Sequence, residues 1–152
     1  MSAFEMAIQP LKKYFDFKGR ASRPEFWLFF FFVLLVQVVA RVVDALFGSG
    51  FFLPGPFSML AAVLLFVPQL AVTVRRLHDV NRSGRELIVP CVMLLAMPLF
   101  LMFRGLIAGI VALGYYGVVL LLFANLLLLL IKQGSKIPNR YGSSPSAFSF
   151  AG

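Results

Sequence analysis

One cysteine, one histidine and six acidic residues are all that the 152-residue chain holds of the side chains from which most active sites and metal centres are built. Cys91 stands alone inside an apolar run, which excludes an internal disulfide and the paired-cysteine spacings of zinc sites. No G-x-S-x-G elbow, phosphate-binding P-loop or H-E-x-x-H helix is present, so no catalytic residue, metal or cofactor is expected. Charge is scarce as well. Only 13% of residues are charged, against about a quarter in a soluble domain, so the chain has too little polar surface to cover a water-soluble core.

What fills the chain instead is apolar: 61% hydrophobic residues and a mean hydropathy of +0.92. Lipid must then be part of the solvent, and 152 residues make one membrane domain. The amino-terminal stretch S-A-F-E-M-A-I-Q-P-L-K-K carries acidic and polar residues where a cleavable signal would have its apolar region, so the first long apolar segment is expected to stay as an anchor.

Residues 4–15 place Phe4, Ala7, Ile8, Leu11, Tyr14 and Phe15 at helical spacing with Glu5, Gln9, Lys12 and Lys13 opposite, the pattern of an amphipathic helix lying at the interface. Pro10 within it predicts a kinked or two-piece segment. Ser22 and Glu25 have capping-box spacing with Pro24 in the first turn, so a helix should start there and run over 25–47, about 34 Å and enough to cross a bilayer core. After a Gly48-Ser49-Gly50 turn, residues 52–74 read as a second span, with Pro68 implying a kink. The polar insert R-R-L-H-D-V-N-R-S-G-R-E over 75–86 breaks the pattern, and Ser83 with Glu86 should cap a third span. From Leu87 to Ile131 only Arg104 is charged, which suits spans over 87–104 and 110–131 with the reversal between Arg104 and Gly114, where Gly105 and Gly109 favour a turn. Residues 132–152 read as a tail. The expected fold is therefore an all-α, polytopic bundle of four transmembrane helices plus an amino-terminal interfacial helix.

Five basic residues precede the first span (Lys12, Lys13, Lys18, Arg20, Arg23), four lie in the middle loop (Arg75, Arg76, Arg82, Arg85) and three follow the last (Lys132, Lys136, Arg140). The two others, Arg41 and Arg104, fall near the opposite ends of the spans, so the positive-inside rule predicts cytoplasmic termini. With the basic residues gathered at one membrane face, the net charge of +8 calls for a lipid surface rather than nucleic acid.

The middle loop is the densest polar constellation, with His78 beside Asp79 among four arginines. As an enzyme site, His78 would act on a phosphorylated lipid whose phosphate is held by guanidinium groups, but neighbouring residues on a helix do not face each other, so His78 and Asp79 are not a pair by sequence alone. Setting topology and pairing with carboxylates is the plainer role for these arginines. The binding role is a basic face for anionic phospholipid headgroups or a membrane-protein partner, including a second copy. A small transporter or channel subunit is disfavoured by the lack of a charged series along any span. Within the first span, Arg41 and Asp44 are three residues apart and predict an intramembrane ion pair. Gln37, Gln69 and Asn125 can hydrogen-bond between helices.

Three segments, F-D-F-K-G-R-A-S-R-P-E-F-W at 15–27, V-R-R-L-H-D-V-N-R-S-G at 74–84 and N-R-Y-G-S-S-P at 139–145, together resemble the bacterial inner-membrane family called domain of unknown function 805. The resemblance implies a small multi-span protein of the cytoplasmic membrane and brings no catalytic residues. Where members usually have aromatic residues after Arg-Ser-Gly, this chain has Arg85 and Glu86. The expected site is a cytoplasmic polar cluster of Arg20, Arg23, Glu25, Arg75, Arg76, His78, Asp79, Arg82, Asn139 and Arg140.

Overall fold

The computed structural model describes residues 3–48, 54–100 and 105–145. Its elements are helical: α1 (Ala3–Lys12), α2 (Arg23–Leu46), α3 (Pro56–Asp79), a 3-10 turn (Gly84–Leu87), α4 (Ile88–Phe100) and α5 (Leu106–Ile131). Three of them, α2, α3 and α5, are long and apolar enough to cross a membrane. At 24, 24 and 26 residues they reach about 36, 36 and 39 Å against a hydrocarbon core of about 30 Å. The expected third span over 87–104 is not among them: α4 has 13 residues among those described, about 20 Å, and its expected last residues lie outside the described ones. Arg104 and the Ser49-Gly50 turn lie outside the described residues.

Helix ends depart from the hydropathy reading in one consistent way. Helix α3 does not stop where polarity begins at Arg75 but runs on for more than one further turn to Asp79, because Arg75, Arg76 and Asp79 turn inward and are buried. It ends on Asn81, whose φ of 60° is the left-handed conformation of a Schellman stop: Asn81 N–H donates to His78 O at 3.0 Å and Arg82 N–H to Leu77 O at 2.9 Å. Gly105, with φ of 106°, is the N-cap of α5, which starts at Leu106 rather than at 110, so Gly109 lies within the helix. Likewise α1 runs unbroken through Pro10, which is buried, rather than in two pieces.

Both Ser caps form, and in both the carboxylate half of the box is diverted. Ser22 Oγ accepts from Glu25 N–H at 3.3 Å and Ser83 Oγ from Arg85 N–H at 3.3 Å. Glu25 reaches Arg75 instead of its own helix start, and Glu86 reaches Arg82 at 3.5 Å.

At the far end of α2, Asp44 is fully buried, and its carboxylate accepts from Phe57 N–H at 3.0 Å and Ser58 N–H at 2.9 Å, the first orphan donors of α3. The N-cap residue of α3 is Gly55, which has no side chain to offer, so α2 supplies the cap. A Cβ at Gly55 would collide with the Asp44 side chain, its Cβ lying 2.8 Å away. The expected Arg41–Asp44 ion pair is absent among the described residues; hydrogen bonding to a helix start competes better for a carboxylate than a residue on the rim of its own helix.

Pro68, fully buried in the middle of α3, leaves the carbonyl of Leu64 without its intrahelical N–H. Tyr14 supplies the donor, its hydroxyl reaching Leu64 O at 2.6 Å from the turn that follows α1. An irregularity in a span is thus satisfied by a neighbouring segment, which is how such helices tolerate proline. Tyr14→Phe is expected to lower stability by about 1 kcal/mol, read as a fall in the unfolding midpoint in lipid-detergent micelles; an unchanged midpoint would mean the bond contributes nothing.

The buried apolar side chains cluster at one end: Ala21, Phe26, Phe29, Val72, Leu77, Leu87 and Leu130. Away from it the long helices present large apolar residues outward, such as Leu113 at 74% and Leu121 at 70% exposure, the arrangement expected when lipid is the solvent.

Candidate functional site

The start of α2, the end of α3 and the end of α5 meet at the clustered end. Ala21 N–H donates to Arg75 O at 3.0 Å, and Arg76 Nε to Leu130 O at 3.1 Å. Between these helix ends lies a layer of buried charge built around Asp79. One carboxylate oxygen accepts from Arg20 Nε at 2.9 Å and Nη2 at 2.7 Å; the other accepts from Arg76 Nη1. The side chains of Arg20 and Arg76 are 1% and 0% exposed and that of Asp79 is 6% exposed, so this three-membered group is desolvated. Next to Arg76 in sequence, Arg75 donates from Nη1 to Glu25 Oε1 at 3.0 Å, leaving its buried Nε and Nη2 without a partner among the described residues.

The remaining donors of Arg20 and Arg76 reach backbone rather than ligand. Arg20 donates to the carbonyls of Ile137 at 3.1 Å and Gly142 at 3.3 Å and also to Ser135 O; Arg76 and Arg23 both donate to Lys132 O, the latter at 3.2 Å. A planar guanidinium with five donors suits this multiple capture of carbonyls better than an ammonium would. The chain after α5 is thereby strapped across the helix ends. Ser135 N–H adds a bond to Asp79 O at 2.9 Å, and a Cβ at Gly134 would collide with the Asp79 carboxylate, so only glycine lets the strap lie this close.

His78 faces away from Asp79. Its Nδ1 is 3.1 Å from Gly19 O, and its ring lies flat on Tyr141, with centroids 3.8 Å apart and planes 3° apart. Arg140 lies over the same tyrosine at 4.8 Å, and Asn139 Nδ2 donates to His78 O at 2.9 Å. Of the expected cluster, then, Arg20, Arg76 and Asp79 form one group, Arg75 and Glu25 an adjoining pair, and Arg23, His78, Asn139 and Arg140 hold loops around them. Arg82 stands apart, exposed and paired only with Glu86. Arg41 and Asp44 lie on the last turns of α2, at its other end.

Chemically, the arrangement is a clasp. The carboxylate that would orient a catalytic histidine is already taken by two arginines, and the guanidinium groups that would hold a phosphate point into the protein. Among the described residues no three of His, Cys, Asp and Glu gather as a metal site. The bonds that hold the strap were hidden from sequence reasoning because their acceptors are main-chain carbonyls, and its only signal was the turn-rich composition of residues 133–145.

A helical membrane protein with a layer of buried, mutually paired charge where three helix ends meet is the class these features define. The chain belongs to the family described as proteins of unknown function (DUF805), matched over residues 14–143. It is 32% identical over 139 residues to the inner membrane protein YhaI of Escherichia coli K12, covering 91% of this chain and 92% of that protein. It is also 35% identical over 81 residues to the inner membrane protein YhaH of the same strain, covering 51% of this chain and 64% of that one. No solved structure matches it.

Proposed function

We propose that the protein is a non-enzymatic component of the bacterial cytoplasmic membrane that crosses it four times, with both termini inside, and binds anionic phospholipid headgroups through its basic face. The helix ends support the topology. With α2 starting, and α3 and α5 ending, at one face, α4 sets out from that face and α5 returns to it, which supports an even number of crossings. The relatives named inner membrane proteins and the excess of Lys and Arg at this face support the orientation.

The observation that carries the lipid reading is a division of labour among the basic residues. Arg20, Arg75 and Arg76 are buried and spent on internal partners, whereas Lys18, Arg85, Lys132, Lys136 and Arg140 are exposed around them and meet no carboxylate. Each basic side chain at an anionic leaflet contributes about 1 kcal/mol. Replacing Lys18, Lys132 and Lys136 by Gln should therefore weaken retention of phosphatidylglycerol in native mass spectrometry by about tenfold or more, with the unfolding midpoint unchanged. Equal retention by the triple variant and the parent would remove the lipid-binding reading.

A further inference from the structure

Asn125 is a polar amide on the lipid-facing side of α5. Gln37 and Gln69, the other amides in the long helices, are half-buried; Asn125 is exposed and its side chain has no hydrogen-bond partner among the described residues. It lies six residues from the end of α5, about 9 Å in from that end and within hydrocarbon if the helix crosses a membrane. An amide left in lipid with its donors and acceptor unmet is costly, so the position calls for a partner.

The residues around it form a regular seam. Ile107, Val111, Gly114, Val118, Leu121, Asn125 and Leu128 follow one another at alternating intervals of four and three, a heptad with Val111, Val118 and Asn125 at a and Ile107, Gly114, Leu121 and Leu128 at d. Every one of these is exposed, and a side chain at Gly114 would meet nothing within 4 Å. The face that α5 turns to the rest of the protein is a different one. Its buried residues Val119 and Leu130 lie about 120 to 140° round the helix from Asn125. The seam is thus free in the monomer and complete over three heptads.

We propose that this seam is a dimer interface between two copies of the chain, with the α5 helices parallel and Asn125 hydrogen-bonded to Asn125 of the partner subunit. The occupant is a second copy for three reasons. All copies inserted in one membrane share one orientation, so two α5 helices related by a two-fold axis along the membrane normal present the same residue at the same depth. An asparagine amide donates and accepts, so it complements its own image. Finally, Val111 and Val118 at a, with Leu121 and Leu128 at the d positions flanking a single asparagine at a, follow the pattern that selects two parallel strands in a defined register, and membrane bundles share that left-handed packing geometry. Gly114 lets the two backbones approach on the far half of the seam. The lipid-binding reading of the basic face is not required for any of this.

The test uses the full chain in native membranes with Cys91→Ser, so that introduced cysteines are the only thiols. Leu121→Cys and Leu128→Cys on the seam, and Leu113→Cys and Leu120→Cys on an equally exposed face, are oxidised in parallel. Disulfide-linked dimers are expected at 121 and 128 and not at 113 or 120; equal linkage at all four, linkage only off the seam, or none at any position would overturn the interface. Asn125→Leu, read by energy transfer between labelled copies diluted in lipid, is expected to weaken dimerisation roughly three- to thirty-fold, with Asn125→Gln retaining most of it. Undiminished dimerisation of Asn125→Leu would overturn the role of the amide. Because Asn125 is exposed and has no side-chain hydrogen bond among the described residues, an unfolding midpoint equal to the parent's separates loss of association from loss of fold.

Discussion

Asp79→Asn is expected to destabilise the protein by about 3–5 kcal/mol, the largest effect of any single substitution considered. The carboxylate serves two buried guanidinium groups at once, and the amide that replaces it leaves Arg20 and Arg76 charged, desolvated and without a counter-charge. The size follows from that uncompensated burial and not from the worth of the ion pairs themselves, since buried pairs often contribute little relative to an apolar replacement. Denaturant titration in mild detergent, or the amount of protein retained in the membrane after expression, reads the loss. Glu86→Gln provides the contrast, because its pair with Arg82 is exposed and should be worth less than about 1 kcal/mol. Similar midpoints for the two variants would mean that the buried group carries no special weight.

Arg20→Lys keeps the charge, and with it any topological signal, yet is expected to release the segment after α5. Lysine cannot present two donors to Asp79 while also reaching the carbonyls of Ser135, Ile137 and Gly142. With several charge-assisted bonds lost, the penalty is on the order of 3 kcal/mol, shared between the strap and the fold. Exposed Lys136 and Arg140 are trypsin sites within the strap, so limited proteolysis should cleave there at least about tenfold faster in the variant. If the rates are equal, Arg20 does not hold the strap.

The parts of this architecture that depend on composition and periodicity were legible in the sequence: the helical class, the apolar helices, and the two Ser caps at Ser22 and Ser83. Hydropathy located the end of α3 poorly because it treats Arg75, Arg76 and Asp79 as water-seeking, whereas a helix end buried under other segments can hold charges that neutralise one another. Asn81, which accepts positive φ readily, was the available signal for where α3 stops. The three-residue spacing of Arg41 and Asp44 pointed to an ion pair, but the start of α3 is too distant in sequence for spacing rules to see, and it captured the carboxylate. Tyr14 and Leu64, fifty residues apart, meet for a similar reason: proline at 68 advertises a free carbonyl at 64, while nothing local says which donor will fill it. The residues of the charged layer could be named as candidates because only a few polar residues exist to choose from. Their division into a buried group and an exposed ring needed three dimensions.

One carboxylate, Asp79, joins the segment before α2 to the segment after α5 through Arg20. A double-mutant cycle with Arg20→Gln and Asp79→Asn, followed by denaturant unfolding in lipid-detergent micelles, measures that link directly. The prediction is a coupling of about 2–3 kcal/mol, with the double variant more stable than the sum of the single losses because no unpaired partner remains from this pair. Losses that add to within about 0.5 kcal/mol would contradict it.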